Sequence, residues 1–449
     1  MDTSFNPPVR SRARALVATL CIVVLAACSS LPDNSARVAS HSLPAQGTAL
    51  ADSLQPLLEQ HEGKSGFRLL VEGEEAYAAR LQLIRAAERS LDVQYYIWHN
   101  DLTGQVAHHQ LLAAADRGVR VRLLLDDLDT AGKDQLLRRI DAHPNLEIRL
   151  FNPFANRNNR VGDFAGDTRR VNRRMHNKTL TADGIATIFG GRNIGDEYFD
   201  ATAEVAFGDM DALGVGRIAA EVSSQFDLYW NSPYSYPLTA FDWDEPVTDA
   251  EVAAFREENN AFVAGAADSE YVRILKSVEM AKAASMATVG FVWSDWHLGY
   301  DQPRAIEMDE ITEETHLAAK IIKAMDLAEE ELIIVSPYFV PGENFTDYLV
   351  GLVEKGVRVR ILTNSLQAND VALVHAGYMR YREDLVRGGV ELYEFRATSN
   401  KIRRRIERER IDVEKTSLHA KIFTIDSRWI FVGSFNLDGR SAKLNTELG

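Results

Sequence analysis

The 449-residue sequence contains only two cysteines, Cys21 and Cys28, too few for a disulfide framework. It lacks any apolar run of the roughly 20 residues that a bilayer-spanning helix needs, which excludes a multi-pass membrane protein. Positive charge is in deficit. Lys and Arg number 50 against 65 Asp and Glu, and the net charge of −15 argues against bulk nucleic-acid binding. Proline is sparse at 13 residues, and 46% hydrophobic with 26% charged residues excludes disorder, collagen and a continuous coiled coil. What remains is a globular chain, long enough for two or three domains at roughly 150 residues each.

The N-terminus accounts for both cysteines. Arg10, Arg12 and Arg14 precede an apolar stretch, 15–27, that ends at Cys28, the anatomy of a secretory signal. Leu25-Ala26-Ala27-Cys28 resembles a bacterial lipobox, in which residues 1–27 are removed and the cysteine carries lipid. The alternative is an uncleaved signal-anchor with an incidental cysteine. Several acyl chains on one residue anchor stably where a single chain is marginal. Ser29 and Ser30 follow without an aspartate, a pattern that favours the outer over the inner membrane, with the body facing the periplasm. Residues 28–55, rich in Ser, Ala and Pro, read as a tether.

Beyond it, the chain repeats itself. Arg117-Gly118-Val119-Arg120-Val121-Arg122-Leu123-Leu124 returns as Lys355-Gly356-Val357-Arg358-Val359-Arg360-Ile361-Leu362. Each copy follows a helical pattern, 104–116 and 343–354, and an earlier apolar strand, 91–97 and 332–335. Strand, helix and strand joined by short turns form a parallel α/β unit. The glycine of each Gly-Val turn falls where a left-handed helix cap is expected. The expected fold is therefore α/β in two related halves, 56–240 and 310–449. The intervening 241–309, with Trp243, Trp293 and Trp296, is either an insertion that shapes the site or a linker.

A second repeat carries chemistry. His176, Lys178 and Asp183 fit His-x-Lys-x4-Asp and are followed by Gly190, Gly191 and Asn193. His419, Lys421 and Asp426 fit it again and are followed by Gly433, Ser434 and Asn436. The offset is 243 residues throughout, and it also carries Glu204 onto Glu447. A lone His or Lys on a strand is usually structural; two copies in register invert that expectation. His and Lys two apart on an extended segment share a face. Asp183 and Asp426 complete the motif and are counted with its catalytic residues, although they lie beyond that face and also read as backbone anchors.

These residues resemble the duplicated motifs of the phospholipase D superfamily, whose two halves meet at a pseudo-two-fold interface. Tyr95-Tyr96-Ile97-Trp98, the run from Gly190 to Phe199, His375-Ala376-Gly377-Tyr378 and Asn445-Thr446-Glu447 narrow the resemblance to the bacterial C-type cardiolipin synthases. It covers nearly all of residues 70–449, and it implies one more strand and helix beyond Gly449.

Two imidazoles and two ammonium groups around one phosphate suit transfer at a diester. One His attacks phosphorus and the other protonates the leaving alcohol, then deprotonates the acceptor. Lys178, Lys421, Asn193 and Asn436 would stabilise the non-bridging oxygens, and Glu204 and Glu447 would each orient a histidine. No metal ligand set or cofactor motif accompanies them. Symmetric motifs leave the order open; the resemblance implies His176 as nucleophile and His419 as acid/base. Basic runs precede both motifs, Arg157 to Arg174 and Lys401 to Arg410, and either draw anionic headgroups or form solvated faces.

The expected activity is phosphatidyl transfer to phosphatidylglycerol at a membrane surface, giving cardiolipin; phosphatidylethanolamine as donor is implied by the resemblance alone. A phospholipase D-type hydrolase, or less readily a nuclease, shares the site and differs in the acceptor. A silent lipid-binding lipoprotein would have lost one motif, and both are intact. An additional protein partner is left open.

Overall fold

The computed structural model describes residues 30–202, 204–269, 271–273, 275–276, 290–397 and 415–449. The signal, Cys28 and the second basic run lie outside them. Sixteen strands are present among the described residues: β1 (Ser65–Leu70), β2 (Ser90–Tyr95), β3 (Arg120–Asp126), β4 (Leu146–Phe151), β5 (Thr179–Ala182), β6 (Ala186–Gly190), β7 (Val205–Gly208) and β8 (Asp211–Val215), then β9 (Ser235–Pro237), β10 (Val292–Ser294), β11 (Glu331–Val335), β12 (Arg358–Asn364), β13 (Glu391–Phe395), β14 (Lys415–Leu418), β15 (Ile422–Ile425) and β16 (Trp429–Val432).

The first half is built on a nine-stranded sheet ordered β10-β1-β8-β6-β5-β2-β3-β4-β9; the second has five strands ordered β13-β12-β11-β15-β16. In each, three parallel strands (β2-β3-β4, β11-β12-β13) adjoin an antiparallel hairpin (β5-β6, β15-β16). The parallel strands of the first half are buried along nearly their whole length, as continuous apolar runs require of strands covered on both faces.

The repeated Gly-Val turn ends a helix in both halves as expected. Asp101 caps the helix Leu102–Asp116 by accepting from the Gly104 N–H. That helix stops at Gly118, φ +91°, and Val119 N–H bonds back to the Ala114 carbonyl at 3.1 Å. Gly356, φ +94°, ends the helix Gly342–Glu354, with Val357 N–H bonding to Leu352 at 3.0 Å.

Two expectations about segment boundaries are corrected. Residues 30–48 are not a free tether. Asn34 donates to the Pro233 and Ser235 carbonyls, and the buried Arg122 and Arg149 take the Ser40 and Val38 carbonyls. The helix Ala49–Gln60 then crosses the expected boundary at 55. The intervening segment is not a bare linker either. Its β10 pairs with β1 through Trp293 and Gly66, and Tyr300 bridges to Leu448.

What joins the halves is short and symmetric. β7 of the first half pairs with β14 of the second in a two-stranded parallel sheet, and Met175 bridges in parallel to Thr446.

Candidate active site

The two histidines sit where these inter-half strands end. His176 N–H donates to the Thr446 carbonyl at 2.8 Å, and His419 N–H donates to the Gly208 carbonyl at 2.8 Å. In each case the accepting residue immediately precedes an acid of the opposite half. His176 Nδ1 lies 2.7 Å from Glu447 Oε2, and His419 Nδ1 lies 2.6 Å from Asp209 Oδ2. A carboxylate only accepts, so each pairing places the proton on Nδ1 and leaves Nε2 as the reactive nitrogen.

Glu204 was expected in the role that Asp209 fills. It is exposed, at the start of the inter-half pairing, where its carbonyl accepts from Lys415 N–H at 3.1 Å. The constant offset misled because the halves differ in length beyond the motif. Asn193 precedes Asp209 by 16 residues, whereas Asn436 precedes Glu447 by 11. The sequence signal for Asp209 was its place at the end of an apolar strand, the position that Glu447 holds after Thr446.

The acids are held differently. A Cβ at Gly191 would collide with the Asp209 carboxylate, so glycine is required there. Its counterpart, Ser434, donates from Oγ to Glu447 Oε2 at 2.5 Å. Burial pushes Glu447 up to about 7. Burial acts on Asp209 too, but the charges of His419 and Lys421 outweigh it and hold this carboxyl well below the usual range.

Lys178 and Lys421 are buried beside their histidines. Lys178 Nζ donates to the His176 carbonyl at 2.6 Å, and Lys421 Nζ donates to the His419 carbonyl and lies against the edge of that imidazole, 2.9 Å from Nδ1 and 3.1 Å from Nε2. Burial lowers Lys178 to about 7 and Lys421 to about 8. Burial also lowers both imidazoles, reinforced by the lysines of both halves. His176 falls well below its ordinary value, whereas Asp209 partly restores His419. All four groups are therefore within electrostatic reach of one another.

Aromatic rings wall the site. The edge of Tyr96 meets His176 at 4.8 Å between centroids; Phe207 stacks on His419 at 5.1 Å, and Tyr198 meets it edge-on at 5.2 Å. Sequence reasoning gave none of these three a role.

Other expected site residues lie apart from the reacting groups. Asp183, φ +50°, accepts the backbone N–H of Glu88, Arg89 and Ser90; Asp426, φ +51°, accepts those of Glu329, Glu330 and Glu331. Both tie the turn before the first parallel strand to the far end of the motif strand, which corrects their inclusion among catalytic residues. Asn193 is held at both ends, its oxygen by Ile97 N–H at 3.2 Å and its nitrogen by the Tyr198 hydroxyl at 2.9 Å. The buried Asn436 side-chain oxygen has no partner among the described residues. Arg192, between Gly191 and Asn193, is buried on the carbonyls of Leu70, Val71, Tyr198 and Asp209 and on Asp211, and is not free to contact a phosphate.

Each arginine of the first basic run is likewise paired with a carboxylate of this chain. Arg157 and Arg160 pair with Asp127, Arg169 and Arg173 with Asp309, Arg170 with Asp167, and Arg174 with Asp126. Among the described residues, one His/carboxylate group has metal-like proximity, His99 with Asp101 and Glu197. Asp101 is already committed to the N–H groups of Gly104 and Asp196, so the group reads as a helix cap with an ion pair.

Comparison with known proteins agrees with this geometry. Residues 81–230 and 321–449 match the family described as cardiolipin synthase, PLD-like domain. Cardiolipin synthase C of Escherichia coli K12 is 42% identical over 400 residues, 89% of this chain and 84% of that protein. Cardiolipin synthase B of the same strain is 26% identical over 381 residues, 85% of this chain and 74% of that protein. The crystal structure of phosphatidylserine synthase from Haemophilus influenzae Rd KW20 superposes with a TM-score of 0.57 at 16% identity, covering 88% of this chain and 85% of that one. With the matched family spanning both halves and the whole of the shared site, the chain belongs to the cardiolipin synthase branch of the phospholipase D-like proteins.

Proposed function

We propose that the chain is a phosphatidyltransferase that makes cardiolipin from phosphatidylglycerol and a second phospholipid, by way of a phosphohistidine. His176 Nε2 attacks phosphorus and the bond to the headgroup oxygen breaks, while His419 gives its Nε2 proton to the departing alcohol. Phosphatidylglycerol then enters. His419 takes the proton from its hydroxyl, the hydroxyl oxygen attacks phosphorus, and the P–N bond to His176 breaks. Lys178, Lys421 and the side-chain N–H groups of Asn436 oppose the charge that builds on the non-bridging oxygens.

The observation that carries this reading is the crossed pairing, in which each imidazole is oriented by a carboxylate of the other half. The difference between the pairs supports the order. His176, pulled furthest down by burial and both lysines, is the neutral nucleophile. His419 has a firmly ionised partner in Asp209, which favours the protonated imidazole that an acid needs. This supports the assignment that the resemblance implied.

A phosphatidylethanolamine donor and a lipid anchor on Cys28 complete the proposal. The anchor would keep the site beside substrates that stay in the bilayer, which matters because no described helix is long and apolar enough to cross it. Cys28→Ser is expected to move the protein from the membrane to the soluble fraction.

The test is lipid turnover in vesicles of phosphatidylglycerol and phosphatidylethanolamine. Cardiolipin formed by the wild type and absent with His176→Ala supports the proposal. Phosphatidic acid in its place makes the chain a hydrolase, because water has replaced the alcohol at the same intermediate.

A further inference from the structure

The acid that orients His176 belongs to the second half, yet its backbone is held by neither motif. Asp301, in the segment between the halves and outside both family-matched stretches, is buried to 2% exposure. Its Oδ2 accepts the Glu447 N–H at 2.7 Å, and its own N–H donates to the Glu447 carbonyl at 3.0 Å. Its Oδ1 accepts the Leu317 N–H at 2.6 Å, at the first turn of the helix Leu317–Met325, and its carbonyl accepts the Tyr229 hydroxyl at 2.7 Å. Gly299 and Gly449 exchange two backbone bonds, at 2.8 and 3.0 Å, and Tyr300 bridges to Leu448 between them. Residues 299–301 thus form one side of a short antiparallel ladder whose other side is 447–449.

A buried carboxylate is costly unless its oxygens are satisfied, and both Asp301 oxygens are occupied by N–H donors on different elements. One donor fixes the helix that opens the second half; the other fixes the residue that orients the nucleophile. In the first half the corresponding acid is braced otherwise, by Arg192 Nη2 donating to the Asp209 carbonyl at 2.6 Å.

We propose that Asp301 is a positioning residue for the His176–Glu447 pair, so that the segment between the halves is part of the catalytic apparatus. The inference rests on the role proposed for His176. Asp301 touches no reacting atom; it acts by setting the Glu447 backbone, from which the carboxylate reaches His176 Nδ1. Asp301→Asn is nearly isosteric but turns one acceptor into a donor, facing either Glu447 N–H or Leu317 N–H.

The experiment is a double-mutant cycle of Asp301→Asn with Glu447→Gln, read as kcat and KM on phosphatidylglycerol vesicles and, in parallel, on bis(p-nitrophenyl) phosphate. The second substrate reports on the histidines whatever their lipid, so failure of cardiolipin formation in the wild type is distinguished from failure of this inference. Asp301→Asn is expected to lower kcat about 10- to 100-fold with KM within about twofold, and to cost less than about twofold further once Glu447 is already Gln. A loss of full size in the Glu447→Gln background would overturn the proposal, because Asp301 would then act independently of Glu447. An unchanged kcat, or a change confined to KM, would overturn it too. If Asp301→Asn does not fold, Asp301→Ser keeps one oxygen able to accept a backbone N–H and removes the other. The same cycle then predicts a loss of several-fold that disappears with Glu447→Gln, and a persistent loss contradicts the proposal.

Discussion

The two halves hold each other's histidines with carboxylates of different length. The first offers Asp209, seated against Gly191 and braced through its carbonyl by Arg192. The second offers Glu447, which accepts the Ser434 hydroxyl and takes its backbone support from Asp301. Both deliver an oxygen to within 2.7 Å of an imidazole Nδ1. What the duplication preserves is therefore the place of the reacting atoms; the side chains that reach those places have diverged. The divergence also splits the chemistry, leaving one carboxyl near 7 and the other firmly ionised.

The largest expected effects test whether that split assigns the roles. His176→Ala removes the atom that takes the phosphatidyl group, so turnover falls about 10,000-fold or more and no phosphoenzyme forms. His419→Ala lowers lipid turnover about 100- to 10,000-fold. It leaves phosphoenzyme formation measurable with a p-nitrophenyl ester, whose leaving group needs no proton. Reversal of the two phenotypes would break the comparison.

Next come the acids. Glu447→Gln and Asp209→Asn each lower kcat by about 100-fold or more, since an amide no longer fixes the imidazole tautomer. Glu204→Ala stays within about twofold. Kinetics on the three variants check the exchange of Glu204 for Asp209.

A third test sharpens the comparison through stability. Lys178 titrates at about 7 when folded against 10.5 ordinarily. Below pH 7 both states are charged and the folded one bears the full burial cost. Between 7 and 10.5 the unfolded chain holds the proton that the folded chain has lost, so stability rises with pH across that window. Lys178→Met should therefore abolish activity yet stabilise the fold at pH 6 by roughly 2 kcal/mol or more, a gain that fades towards pH 10. Lys421→Met should behave alike with a smaller gain, its folded value being about 8. Thermal unfolding across pH reads both.

The smallest effects concern the motif aspartates. Asp183→Ala should cost about 2 kcal/mol, because three backbone N–H groups lose a buried carboxylate as acceptor, that of Ser90 in the interior. Asp426→Ala should cost less, its turn lying nearer solvent. Folded protein of either variant should retain kcat within a few-fold.

Much of this was readable in the residues. The Gly-Val repeat located the parallel strands because a helix cap and a buried strand both leave local signatures. The doubled His-x-Lys located the site because an extended backbone puts residues two apart on one face. Asp209 was not readable from a fixed offset, since a five-residue difference in loop length moves the acid without moving its carboxylate. Asp301 carried no pattern at all: its partners, Glu447 and Leu317, are 146 and 16 residues away. Tyr96 and Tyr198 entered only as parts of family-like runs and Phe207 in no pattern, and only the fold turns all three towards imidazoles.

The most direct measurement is to identify the histidine that carries the intermediate. Wild type and His419→Ala are quenched during turnover of a p-nitrophenyl phosphodiester, digested, and mapped by peptide mass. The label is predicted on His176 in both proteins. Label on His419 in the wild type, or labelling that survives His176→Ala, would contradict the division of labour between the halves.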